Sequence, residues 1–178
     1  MPGADHALGV AHGTPHLTAA HSTYIRVETA ISVVINVVLT VIFVFVSFGG
    51  RSFVDLNGPG GILYDSLPQN LITVFMSLLV PTWLTRKRCT AGVIAPLGGG
   101  AGRLPANVIV RALVLAIAVA VVAVPLTWAM LPLVSPPVWG FWPLLAFKAI
   151  YSALIAALVT PLGLLVALKD PVRTGRTL

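Results

Sequence analysis

The chain has 178 residues, 57% of them hydrophobic and only 9% charged, with a mean hydropathy of +0.97. Soluble domains carry roughly a quarter charged residues, so a water-solvated globule is excluded and the bilayer must solvate most of this chain. The formal net charge of +6 does not point to nucleic acid, because the cations stand at the ends of apolar runs, as lipid topology requires, and nucleic acid is not an expected partner.

Residues 1–23 hold Gly, Pro, Ala and polar residues without apolar periodicity and read as a disordered tail. All four histidines, His6, His12, His16 and His21, lie in it. Their spacing matches no metal motif, so the plain reading is a solvated tail; the other is weak metal or proton sensing by flexible imidazoles. The tail lacks the basic start and continuous apolar run of a cleavable signal, which makes the first hydrophobic run an uncleaved anchor.

The first span covers about 25–48, long enough to cross a hydrocarbon core with some tilt. It is rich in Val, Ile and Phe, but its length and lack of turn residues favour helix over strand. Glu28, Ser32, Asn36 and Thr40 recur every four residues, a polar stripe that should face protein because an amide in hydrocarbon needs a partner. Residues 49–64, with Gly, Pro and Asn, form a loop.

The second span covers 67–84 and ends on Arg86, Lys87 and Arg88. Ser66 and Gln69 have the spacing of a capping box, with Pro68 in the first turn. Asn70, Thr73 and Ser77 share one face. Pro81 cannot donate to the carbonyl of Ser77; either Asn36 supplies the missing donor, or the helix kinks and water fills the gap. Residues 85–107 form the connection to the second half. Its GGGAGR run lacks the Lys-Ser/Thr ending and preceding strand of a phosphate-binding loop and reads as a flexible linker.

The third span, 108–130, places Arg111 at its boundary, where a long stem can snorkel to the headgroups. The fourth, 144–168, begins after a turn carrying Trp139 and Trp142, which with Trp128 form an interfacial aromatic belt. Ala112, Ala116 and Ala120 on one span, and Ala149, Ala153 and Ala157 on the other, are small-residue ridges that predict close packing of spans three and four as a hairpin. Lys148 reads as a snorkelling anchor. Residues 171–178 form a short polar tail.

With both termini on one side, that side carries nine cations (Arg26, Arg86, Lys87, Arg88, Arg103, Arg111, Lys169, Arg173 and Arg176) against Arg51 and Lys148 on the other. The bias places the termini in the cytoplasm. Cys89, the single cysteine, then lies on the reducing side and forms no disulfide within the chain. Both halves run from a basic start (Arg26, Arg111) through an out-and-back hairpin to a late proline (Pro81, Pro161) and then cations, the order expected of two tandem hairpins.

Within the spans there is no nucleophile–base pair, metal-ligand spacing or carboxylate pair, so neither an enzyme nor a cofactor is expected. Glu28 is the candidate functional carboxylate, either pairing with Arg26 at the interface or coupling to protons. The stretch DSLPQNLITVFMSLLVPTWLTRKR resembles a hairpin half of small, uncharacterised multi-pass inner-membrane proteins of bacteria, a resemblance that implies an inner-membrane location and no activity. Size and the membrane carboxylate are also similar to the four-helix small multidrug transporters. There the glutamate lies deeper and some members insert in both orientations, so the departures outweigh the likeness.

The expected fold is all-α: a polytopic domain over 24–170 with four transmembrane helices and cytoplasmic termini. Two functions fit it. One is a structural or accessory subunit associating through its helices with a second copy or a larger membrane complex. The other is a small transporter or channel subunit using Ser32, Asn36, Thr40, Asn70, Thr73 and Ser77 as a polar path between spans one and two.

Overall fold

The computed structural model describes residues 17–97, 104–105 and 107–170. Four long helices fill it: α1 (Ala19–Phe48), α2 (Ile62–Thr90), α3 (Val108–Val134) and α4 (Phe141–Leu168). At about 1.5 Å per residue each is roughly 40–45 Å long, the thickness of a bilayer with its headgroups. Two short strands, β1 (Phe53–Asp55) and β2 (Val138–Gly140), occupy the segments expected to be loops.

Every helix is at least as long as its predicted span, and the local reasons are visible at the starts. α1 begins inside the expected tail because Thr18 caps it, its hydroxyl accepting from the His21 backbone at 3.4 Å while the His21 ring turns back on Thr18. His6, His12 and His16, the GGGAGR run and residues 171–178 lie outside the described residues. α2 starts at Ile62, one turn before the expected capping box. Ser66 therefore does not cap: its hydroxyl donates to the Leu63 carbonyl at 2.6 Å, as a serine inside a helix does. α3 starts where predicted, with the Asn107 carboxamide oxygen accepting from the Ile109 and Val110 amides.

α2 and α4 form the centre. α1 packs along α4, α3 along α2, and α2 along α4. Each half of the chain thus lays its first helix on the other half's second helix. The same exchange continues at one end of the bundle, where β1 pairs antiparallel with β2, Phe53 opposite Gly140 and Val54 opposite Trp139. Leu56 extends the ladder to the Pro137 carbonyl. Val54 and Leu56 pack with Val44, Phe48, Ile62, Leu131 and Leu144 into a core beneath the strands.

The expected hairpin of α3 on α4 does not form; the two share no extended contact. Ala112 and Ala116 are buried, but in a cluster with Val74 and Leu78 of α2 and Val159 of α4, while Ala157 is exposed. The buried ridge of α4 is instead Leu144, Lys148, Ser152, Ala156, Thr160, Leu164 and Leu168, and it faces the equally four-spaced ridge of α1. The reason is polar. A lysine, a serine and a threonine on that ridge need partners that lipid does not offer, so their needs outrank the fit of alanines that suit any neighbour.

α2 and α4 pack tightly at Gly163, where an added Cβ would stand 2.7 Å from Cδ2 of Leu78. Gly163→Leu is expected to lower stability by about 1–3 kcal/mol through overpacking. Gly163→Ala should cost less, because the Leu78 methyl can turn aside. Denaturant unfolding in detergent, followed by circular dichroism, reads both.

Candidate functional site

The polar residues of the bundle gather at three levels. At the strand end, Lys148 is 2% exposed. Its ammonium pairs with the Asp65 carboxylate, donates to Oε1 of Gln69 at 2.6 Å and lies 5.2 Å from the Phe48 ring centroid. This corrects the snorkelling reading. Lys148 sits two turns into α4 against Phe48 of α1, and its own stem carries the charge across to a carboxylate of α2 rather than to headgroups. Gln69, read as half of a cap, is the neutral partner of that pair.

The middle level joins three helices. Ser32 of α1 and Thr160 of α4 place their hydroxyl oxygens 2.9 Å apart, and Thr160 donates to the Ser77 carbonyl of α2 at 3.3 Å. With its only proton committed there, Thr160 accepts from Ser32. The carbonyl released by Pro81 is therefore met by Thr160, not by Asn36. Asn36 spends its amide on its own helix, donating to the Ser32 carbonyl at 2.8 Å, and its backbone carbonyl accepts from Ser152 at 3.3 Å. Asn70 likewise donates to the Ser66 carbonyl, and its oxygen accepts from Tyr151 at 2.8 Å.

The candidate polar residues are thus placed as follows. Ser32, Asn36, Asn70 and Ser77 are buried against α4, and the interhelical hydrogen bonds of these four residues run to α4. Thr40 and Thr73 line a gap of about 220 Å³ between α1 and α2, together with Asn36 and Gln69.

At the terminal end, Glu28 is 3% exposed and pairs with Arg88 of α2, not with Arg26, which is exposed. The Arg88 guanidinium also lies over the Tyr24 ring, and the Tyr24 hydroxyl meets that of Thr85 at 2.9 Å. Arg111 does not snorkel. It is 2% exposed and gives Asp170 a two-pronged contact at 2.9 and 2.8 Å, while Arg86 donates to the same carboxylate at 2.8 Å. Burial raises the pKa of Asp170, but the hydrogen bonds from Arg111 and Arg86 outweigh it and hold the carboxyl below the usual aspartate range. Asp170, just past the end of α4, thereby ties the starts and ends of three helices.

His21 is buried as well. Its Nε2 donates to the Ala95 carbonyl at 2.9 Å, since a carbonyl can only accept, and its Nδ1 faces the Thr18 hydroxyl at 2.7 Å. Both ring nitrogens are engaged. Of the aromatic belt, Trp142 and Trp128 are exposed, the Trp128 indole donating to the Leu63 carbonyl at 3.0 Å, and Trp139 packs on Phe147.

Asp65, Thr160, Ser152, Tyr151 and Asp170 were not singled out by sequence reasoning. One signal was available: a lysine two turns inside an apolar helix demands a counter-ion, and Asp65 is the acidic residue at the matching depth of α2.

Four helices, each long and apolar enough to cross a membrane, joined by buried interhelical polar bonds, define a multi-pass integral membrane protein. Comparison with protein-family models, with curated proteins and with solved structures finds no match to this chain.

Proposed function

We propose that this protein is a structural or accessory component of a bacterial inner membrane, non-catalytic, with both termini in the cytoplasm. It acts by presenting a stiff helical body to a second copy or to a larger membrane complex. The observation that carries this reading is the direction of the polar bonds. Ser32, Thr160 and Ser77 link three helices in a row, and Glu28, Lys148 and Asp170 each meet an opposite charge on another helix. Polar groups spent on one another hold helices together and leave little to solvate a passing solute. The cation bias, nine against two, supports the orientation. The apolar surface of α3, including Val121, Val122 and Leu133, is surface that lipid solvates.

A transporter or channel subunit is the second reading. It is favoured by the buried Lys148–Asp65 pair, since ionisable groups inside a membrane domain often mark a pathway. Cysteines placed at Asn36 and Thr73, in a chain with Cys89→Ser, discriminate the two. The packing reading expects both to resist a membrane-permeant thiol reagent that needs water to ionise the thiol. Rapid modification at both positions, protected by a transported solute, would replace it with the pathway reading.

A further inference from the structure

Beside the Lys148–Asp65 pair, at the strand end of the bundle, lies an open cavity of about 350 Å³. It is lined by Ser47 and Phe48 at the end of α1, Arg51 and Gly60 in the loop, and Tyr64 and Asp65 at the start of α2. Its size is that of a small-molecule site. Two opposite charges, Arg51 and Asp65, share its wall, and among the described residues no ion pair joins them.

Each charge is held from one side with bonding capacity left over. The Arg51 guanidinium donates through Nη1 to the Gly60 carbonyl at 3.3 Å and lies 6.0 Å from the Phe48 ring centroid. Most of its N–H donors stay open, and the residue is exposed. Asp65 is gripped on the buried side, where Lys148 takes Oδ2. Its Oδ1 has no partner among the described residues, yet it is not one of the sealed polar atoms of the bundle, and the side chain keeps 10% of its surface exposed. A carboxylate of this protein can take a second cation. Asp170 does so at the opposite end, between Arg111 and Arg86.

We infer that this cavity binds the headgroup of a zwitterionic phospholipid with a primary ammonium, the phosphate on Arg51 and the ammonium on Oδ1 of Asp65. Depth selects a lipid. The cavity sits where α1 ends and α2 begins, and spanning helices of this length put their ends among the headgroups. Val46 and Leu67, close in sequence to Ser47 and Asp65, are exposed and apolar, a surface on which acyl chains can lie. The charges select the headgroup. A lone anion would satisfy Arg51 but face Asp65, whereas a headgroup of both signs gives each a charge-assisted bond. A primary ammonium has protons to donate to the carboxylate, and a quaternary one has none. The site stands independently of whether the protein serves as a structural component.

The test titrates the full-length protein in detergent with phospholipids of identical short acyl chains and follows bound lipid by native mass spectrometry. One saturable phosphatidylethanolamine per chain is expected, bound about tenfold more tightly than phosphatidylcholine or phosphatidylglycerol. Arg51→Gln, at an exposed position, should weaken all three lipids by about tenfold by removing the phosphate contact. Lys148→Met with Asp65→Leu, a pair expected to keep the bundle folded, should weaken phosphatidylethanolamine alone, to the level of phosphatidylcholine. Equal binding of the three lipids, tightest binding of phosphatidylglycerol, or affinities unmoved by Arg51→Gln would overturn the inference. So would a preference for phosphatidylethanolamine that survives the paired replacement. Displacement of the lipid by an equal concentration of free phosphoethanolamine would also overturn it and give the cavity to a soluble solute.

Discussion

Lys148→Met is expected to destabilise the bundle by about 3–5 kcal/mol, because it strands the Asp65 carboxylate, only 10% exposed, with its counter-ion gone. The cost is expected to be asymmetric. The paired replacement Lys148→Met with Asp65→Leu should recover most of the loss, since two apolar side chains of similar volume are close to neutral where a buried ion pair stood. Unfolding by denaturant in micelles, with the helical signal as readout, gives the three free energies of a double-mutant cycle. A lysine that merely anchored its helix at the headgroups would behave differently. Its loss would cost under about 1 kcal/mol and would be indifferent to residue 65.

The second large effect concerns Asp170. One carboxylate holds Arg111 of α3 and Arg86 of α2 at the end of α4, so Asp170→Asn leaves the 2%-exposed Arg111 charged and unpaired, at a cost of about 3–5 kcal/mol. The same bond predicts a pH dependence with a definite sign. The folded pKa of Asp170 lies below its unfolded value, so the stability it contributes is fully present above the ordinary aspartate pKa of about 3.9. It is lost as pH falls through the lower folded value. Midpoints of thermal unfolding should hold constant from neutral pH down to that range and then drop, and the drop should be smaller in Asp170→Asn. A variant that melts with the same acid profile as the parent would place the acid sensitivity elsewhere.

Helices and faces were legible in the sequence, while neighbours were not. The four-residue recurrence of Glu28, Ser32, Asn36 and Thr40 identifies one face of one helix, and periodicity is a property of the chain alone. Which helix that face meets depends on side chains some hundred residues away. Thr160 and Ser152 on α4 answer the polar ridge of α1, and nothing local marks them. The alanine ridges misled for the complementary reason: a small side chain permits close approach without specifying a partner. Ser66 and Gln69 misled because a Ser-x-x-Gln spacing is equally an i, i+3 pair inside a helix, and the apolar turn from Ile62 extends α2 ahead of them. Lys148 and Arg111 were assigned from depth, which sequence gives. Their true partners, Asp65 on α2 and Asp170 just past α4, follow from how the four helices meet in space, which it does not.

The exchange of helices between the two halves, α1 on α4 and α3 on α2, is the central feature of the bundle, and a disulfide tests it most directly. Ser32→Cys with Thr160→Cys, in a chain carrying Cys89→Ser, replaces two hydroxyls 2.9 Å apart on helices 128 residues apart in sequence. Oxidation in the membrane is expected to close the bond within one chain in high yield, since the separation is compatible with a disulfide of about 2.05 Å. No bond under conditions that oxidise a surface-exposed cysteine pair, or bonds only between chains, would contradict the packing of α1 on α4.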